Sequence, residues 1–169
     1  MQVTRYVRNH RPTYTGEVSS PDVSLVVAFL NTLDVEEDTD VLAHAAGWHA
    51  WSQDRGLEAG PLSAARSARA SLRAAVTDAL NASPLTVPVA VELSPGGGPA
   101  LVAGDAVGAV MAAAARLAVL GQWSRVKICP ADDCRWAFYD ESRNRSRTWC
   151  SMRVCGNREK ARTWRQRQA

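Results

Sequence analysis

No apolar run in this 169-residue chain is long enough to cross a bilayer. The opening residues MQVTRYVRNHRP contain no apolar core of the kind that directs export. Both absences predict a cytoplasmic protein. Cysteine is missing from the first 128 positions, and all four cysteines fall within the last 41 residues. In a reducing compartment such a set is not expected to form two disulfides. Catalytic patterns are missing as well. No Ser-His-Asp, Cys-His or His-x-x-Glu-His arrangement is present, so an enzyme is not expected. Histidine is scarce. His44 and His49 are five apart, a poor spacing for one helical face, and His10 lies in a polar opening stretch; all three read as ordinary polar residues. Gly96-Gly97-Gly98 is not followed by Gly-Lys-Ser/Thr and does not open a helix directly, which argues against a phosphate cradle.

Charge is present but uneven. Residues 1–124 hold 8 Lys/Arg against 12 Asp/Glu, a balance of −4, whereas residues 125–169 hold 12 against 5, a balance of +7. An acidic body with a basic end points to an anionic partner for that end, nucleic acid first among them. Apolar periodicity predicts a mainly helical body. A first helix opens at Ser20-Pro21-Asp22, with Leu25, Val26, Phe29, Leu30 and Leu33 as its apolar face. Glu36 to Asp40 reads as an acidic connector. A second helix runs from about Asp40 to Arg55, with Val41, Leu42, Ala45, Trp48 and Trp51 inward and Gly56 as its stop. A third opens at Gly60-Pro61 with Leu62, Ala65, Ala68, Leu72, Val76 and Leu80 as its stripe; Arg66, Arg69 and Arg73 fall off it, and Asn81-Ala82-Ser83-Pro84 ends it. Residues 85–93 suit a strand, with Pro88 favouring an edge, and Ala100 to Ala103 return as its hairpin partner. A fourth helix spans about Asp105 to Gln122, burying Val107, Val110, Met111, Ala114, Leu117 and Leu120. The expected fold class is α+β: a mainly helical domain over residues 1–124 with a short β-hairpin, and a small C-terminal module over residues 125–169.

The spacing in that module is C-x4-C, fifteen residues, C-x4-C. Paired cysteines in a short basic segment read as a metal site, and four thiolates suit a structural Zn2+ held by Cys129, Cys134, Cys150 and Cys155. Closed ligation leaves no position for water, so the ion holds the fold and does not catalyse. Val126 to Ile128 leads into the first cysteine pair. Trp136 to Asp140 reads as a strand, Glu141 to Ser146 as a turn, and Arg147 to Trp149 as a returning strand that delivers Cys150. A final helix then runs from near Cys155 to about Gln166. That order suggests a treble-clef-like arrangement, with a zinc ribbon as the alternative. Trp136, Phe138, Tyr139 and Trp149 are expected to pack around the metal, with Ala161 and Trp164 of the last helix packing on the same core. Arg158, Arg162 and Arg165 share one helical stripe. With Lys160, and with Arg143, Arg145 and Arg147 near the turn, they either clamp a phosphate backbone or pair with Asp132, Asp133, Asp140 and Glu141.

The run from Ser142 through Trp149-Cys150-Ser151-Met152-Arg153-Val154 to Cys155-Gly156-Asn157-Arg158 resembles the CGNR zinc finger, named for that last tetrad, over about residues 125–165. Upstream, Asn31-Thr32-Leu33-Asp34 resembles the opening signature of the ABATE domain that usually precedes this finger. The resemblance implies a bacterial stress-responsive transcription regulator whose finger binds DNA and whose N-terminal domain senses a small-molecule effector. It implies zinc ligation by the four cysteines and a tight helix start at Gly156. It also implies backbone bonding by Asn157, and loop support or phosphate contact by Arg158. Asn31 either faces a ligand cleft or caps and links helices. A homodimer is compatible with reading paired half-sites. Two other functions remain open: a zinc-stapled protein-interaction module, and a thiol-based redox switch in which oxidation ejects zinc.

Overall fold

The structure, a computed structural model, describes residues 21–77 and 84–168. The expected polar stretch with His10, the Ser20 cap, Leu80 and the helix end at residues 81–83 lie outside the described residues. The first helix, α1, is Pro21–Leu30. Its proline suits the first helical position, and Asp22 complements the positive helix end. Asp22 also pairs with Arg116 at 2.6 Å. Val26, Phe29 and Leu30 are buried as expected, but Val23 and Val27 are buried too, so the apolar face is wider than the stripe suggested.

The acidic connector is a tight hairpin. β1, Leu33–Asp34, pairs antiparallel with β2, Thr39–Asp40. Asp34 Oδ1 accepts from the amides of Glu36 and Glu37 at 3.1 and 3.2 Å, bending the chain between the strands. The expected second helix is broken. A 3-10 turn, Val41–Ala43, is followed by extended His44 and then α2, Ala45–Gln53. The Asp40 side chain caps the turn by accepting from Leu42 N at 2.8 Å. Gly47 lets the two pieces close on each other, since a Cβ there would lie 2.4 Å from the Val41 carbonyl oxygen. Gly56 ends α2 with φ +66, a left-handed position that glycine adopts at no steric cost. Trp48 and Trp51 stack on each other at 5.2 Å, and both meet Phe29 edge-on.

The arginines of α3, Leu62–Val76, all bond to other elements, Arg66 from an exposed position. Arg69 is buried. It meets Asp40 through two bonds, at 2.5 and 2.7 Å, and donates to Thr32 Oγ1 at 3.1 Å. Arg66 donates to the carbonyls of Leu42 and Ala43. Arg73 donates to the carbonyls of Leu30 and Arg135. These carbonyls sit at element ends, where backbone acceptors lack helical partners, and long guanidinium stems reach them from α3. The hairpin expected after α3 is present but shorter, with β3, Ala90–Leu93, pairing antiparallel with β4, Pro99–Val102, and Pro88 outside the ladder. α4, Ala106–Val119, is capped by Asp105 accepting from Gly108 N at 2.8 Å and packs along α1. Leu120, expected inside, follows the helix end and is exposed.

β5, Val126–Ile128, pairs antiparallel with β6, Ala137–Tyr139. The expected pairing of Trp136–Asp140 with Arg147–Trp149 does not occur, and Arg147–Trp149 is irregular. Side chains alternate along β6. Ala137 and Tyr139 join the core of the helical body with Val126, whereas Phe138 joins the cysteines. Tyr139 therefore does not pack around the metal site as expected. Among the described residues the architecture is mixed helix with three two-stranded sheets. Among the described residues, no helix is long and apolar enough to cross a membrane.

The Asp40–Arg69 pair generates a stability prediction. Arg69 holds the Asp40 carboxyl below its ordinary value, against the opposing effect of burial. A depressed carboxyl contributes stability above its unfolded pKa and loses it as pH falls through the folded one. Arg69→Met should cost about 2–3 kcal/mol at neutral pH, because Asp40 keeps partial solvent contact, and the difference from wild type should shrink in acid. Urea unfolding at two pH values checks both parts; a pH-independent difference would overturn the electrostatic account.

Candidate metal centre

β5 delivers Cys129 and β6 follows the turn that holds Cys134. Cys129 N donates to the Trp136 carbonyl at 2.8 Å, and the amides of Cys134 and Arg135 both donate to the Ala131 carbonyl at 3.0 Å. Arg135 adopts φ +53, which turns the chain back into β6. Cys150 precedes a wide π-helical turn, Met152–Gly156, that carries Cys155 and that Ser151 caps by accepting from Val154 N; α5, Asn157–Gln166, follows. Gly156 has an ordinary helical φ of −63, so the expected conformational role is replaced by a spatial one. A Cβ there would meet Met152 Sδ at 2.5 Å and Trp149 Cδ1 at 3.3 Å. Asn157 Nδ2 donates to the Arg153 carbonyl at 3.1 Å, the backbone bonding expected of it.

The stretch that replaces the missing strand is organised by one buried carboxylate. Asp140 accepts from Ser142 N at 2.9 Å, Arg147 N at 2.9 Å and Lys127 Nζ at 2.6 Å. The same ammonium donates to the carbonyls of Arg145 and Arg147. Arg125 adds bonds to the carbonyls of Asp140 and Ser142. Backbone groups that a strand partner would have satisfied are thus met by side chains. Burial opposes ionisation of Asp140, but the Lys127, Ser142 and Arg147 bonds outweigh it and hold its pKa at about 2.

The four sulfurs of Cys129, Cys134, Cys150 and Cys155 lie within 4.8 Å of one another, and all four residues are buried. Two edges measure 3.5 Å (Cys134–Cys150) and 3.6 Å (Cys150–Cys155). Zinc bonded tetrahedrally to sulfur at about 2.3 Å sets sulfur–sulfur edges of about 3.8 Å. The cysteines are free thiols, and their spacing far exceeds a disulfide bond. As protons leave, the thiols compete. The bond from Cys150 pulls Cys134 down to about 6, the same interaction raises Cys150, and burial raises Cys155 to about 11. A buried sulfur set of this kind fits a divalent thiophilic cation, and zinc suits it best. Around it pack Phe138 and Ala131, with Trp136, Trp149 and Val154 half-buried.

The arginines divide into two groups. Arg158 donates to Cys155 Sγ at 3.4 Å and pairs with Asp133 and Glu36, both at 3.3 Å. Its bond to the sulfur, followed by the two carboxylates, stabilises its charge. Arg147 lies over the Phe138 ring at 4.9 Å and donates to the carbonyls of Trp149 and Cys150. Arg162 pairs with Glu159 at 3.4 Å and lies 4.0 Å from Asp133. Arg143 and Lys160 are exposed with no ion pair among the described residues. Arg145 donates to Ser124 Oγ, and Arg165 to the carbonyl of its own Ala161. The expected packing of Ala161 and Trp164 on the metal core is not found. α5 has no buried residue, and Trp164 is 64% exposed. Trp164 instead lines an open cleft with Trp149, Lys160 and Arg167, at the edge of the sulfur cluster and not within it. Sequence reasoning missed Arg153, an exposed cation in the π-helical turn before α5 whose only signal was its charge; Arg167, read from the sequence as a cation of the last helix, is exposed just past its end.

Asn31 bridges the body and this module. Its Nδ2 donates to the Ala137 carbonyl at 2.9 Å and its Oδ1 accepts from Ala137 N at 2.7 Å, as a neighbouring strand would. It also lines a cleft of about 410 Å³. The side chain thus ties the end of α1 to a strand, so the expected capping or linking of helices is not found. His44 and His49 are exposed and lie apart from the sulfur cluster.

Two predictions follow from this geometry. Cys129→Ser should abolish stoichiometric metal and unfold the module, since structural zinc contributes on the order of 10 kcal/mol; metal analysis and cobalt-substituted absorption measure it, and an unaltered one-to-one metal content would contradict the site. Asp140→Asn removes the charge that gathers residues 140–150. Because a lowered carboxyl supplies stability above its ordinary value of about 3.8 and loses it towards about 2, the variant should be weaker than wild type at pH 7 and converge with it near pH 2. Thermal melts across that range, at saturating zinc where zinc binds, decide the matter.

Residues 125–168 match the CGNR zinc finger family. No curated protein matches the chain. The family match covers the last quarter of the sequence and agrees with the four clustered sulfurs in identifying a zinc-binding module.

Proposed function

We propose that the chain is a DNA-binding transcription regulator in which the zinc module contacts DNA and the helical body senses a small effector. The observation that supports this reading best is α5. It buries no residue, and Lys160, Arg165 and the adjoining Arg167 have no acidic partner among the described residues. Arg153 precedes the helix, and Arg143 and Arg145 lie on the loop that Asp140 gathers. Cations without acidic partners, carried on a zinc-stapled frame, are what phosphate contact requires. Arg147, Arg158 and Arg162 serve the module itself in this reading: Arg158 offsets charge at the sulfurs and Arg147 closes the loop. The order of cysteine turn, β6, return loop and helix is treble-clef-like, with a side-chain-supported loop in place of the hairpin. The likeness of Asn31-Thr32-Leu33-Asp34 to the ABATE signature supports a sensing body. Its cleft supports that reading too.

The test is the salt dependence of retention on duplex DNA. Wild type should bind with an affinity that falls linearly in logarithmic plots, each phosphate contact adding about 0.9 to the slope. Replacing Lys160, Arg165 and Arg167 with alanine should lower that slope by about 2–3. Arg162→Ala should leave it within error. No retention at low salt, or an equal slope in the triple variant, would sink the assignment.

A further inference from the structure

We propose that the cleft between α1 and α2 binds a small apolar carboxylate, and that the zinc module senses its presence; this rests on the reading of the body as a sensor. Its volume of about 410 Å³ suits a ligand of one or two rings. Val23 and Val27 of α1 form one wall and the Trp51 indole another. No acidic residue lines it among the described residues. The cation at its margin is Arg55. Its guanidinium lies over the Trp51 ring at 4.0 Å, and one nitrogen donates to the Trp51 carbonyl at 2.8 Å. Arg55 makes no ion pair among the described residues, and Asp54, its chain neighbour, makes none with it. The remaining N–H groups are held in place by stacking and have no acceptor among the described residues, a geometry that suits a carboxylate.

The far side of the cleft belongs to the zinc module. Trp136 lines it, and the carbonyl of that residue accepts the amide of Cys129, a sulfur ligand. Asn31 lines it as well and holds both backbone groups of Ala137. An occupant touching α1, Trp51 and Trp136 together spans the seam between the body and the metal turn. It tightens that seam, and with it the path by which Cys129 leaves the metal.

The probe is 2-naphthoate, with 2-naphthamide as its neutral counterpart, titrated into the zinc-loaded full chain and read by tryptophan fluorescence and calorimetry. Naphthoate should bind saturably and at least about tenfold more tightly than the amide. Arg55→Met should erase that preference, Arg55→Lys should keep part of it, and Ala28→Phe should block both probes by filling the cleft, with circular dichroism confirming each fold. Zinc transfer to a chromogenic chelator should slow at least about threefold at saturating naphthoate. Equal affinity for both probes, a preference surviving in Arg55→Met, or no saturable binding would overturn the ligand class. Binding with unchanged zinc transfer would overturn the coupling. DNA retention of the same ligand-free protein is scored in parallel. Retention without naphthoate binding defeats this inference alone, whereas naphthoate binding with slowed zinc transfer but no retention upholds it and defeats the regulator reading.

Discussion

Four sulfurs buried within 4.8 Å of one another constrain everything in the C-terminal quarter of this chain. Protonated, they are four weak donors packed where few acceptors exist. Fully ionised, they carry four negative charges in a space with little solvent contact. A divalent cation resolves the conflict, and the rest of the module is arranged to bring the sulfurs to it. The apolar cluster around them is small, with Phe138 its one large fully buried side chain, so packing alone supplies only a few kcal/mol. Metal ligation, on the order of 10 kcal/mol, is the dominant contribution by that comparison.

What the metal does not set is the orientation of the module on the body. That is set by β6, whose alternation sends Phe138 to the sulfurs and Ala137 and Tyr139 to the helical core. Asn31 completes the seam by acting as a one-residue strand against Ala137. Arg73 reaches the Arg135 carbonyl from α3, and Arg158 reaches Glu36 in the acidic hairpin. Such bonds contribute about 1 kcal/mol each, less where exposed, so together they amount to a few kcal/mol. Their sum is well below the metal term. The module should therefore survive changes at the seam, which is the softer of the two.

The sulfur cluster was legible before any coordinates because cysteine spacing carries its own chemistry: two C-x4-C pairs in a short basic segment read as a metal site. The long helices were legible from period and caps, as at Asp105 and Gly56. Three features were not. The break at His44 depends on Asp40 being drawn to Arg69, twenty-nine residues away, which no local pattern displays. The missing strand at Arg147–Trp149 depends on Asp140 and Lys127 taking over the backbone groups that strand pairing would have used. The arginines of α3 lie off the apolar stripe and so look solvated, but their stems are long enough to reach carbonyls at the ends of other elements. Each miss is a side chain acting on distant backbone, the interaction that periodicity cannot register.

The same distinction changes what the basic composition of the module means. Four thiolates around a divalent ion carry a net −2, which lowers the +7 of residues 125–169 to +5 when the metal is bound. Arg125, Lys127, Arg147 and Arg158 are then committed to carbonyls, to Asp140 and to a sulfur. The positive field outside the module comes instead from α5, its flanks and the loop at residues 143–145. Those cations sit on surfaces positioned by the metal and by Asp140, to which Arg145 adds a bond to Ser124 Oγ and Arg165 one to the Ala161 carbonyl. Charge counted along the sequence thus overstates the exposed positive surface, while its placement follows from the sulfurs: release of the metal would free α5 from the frame that presents its cations together.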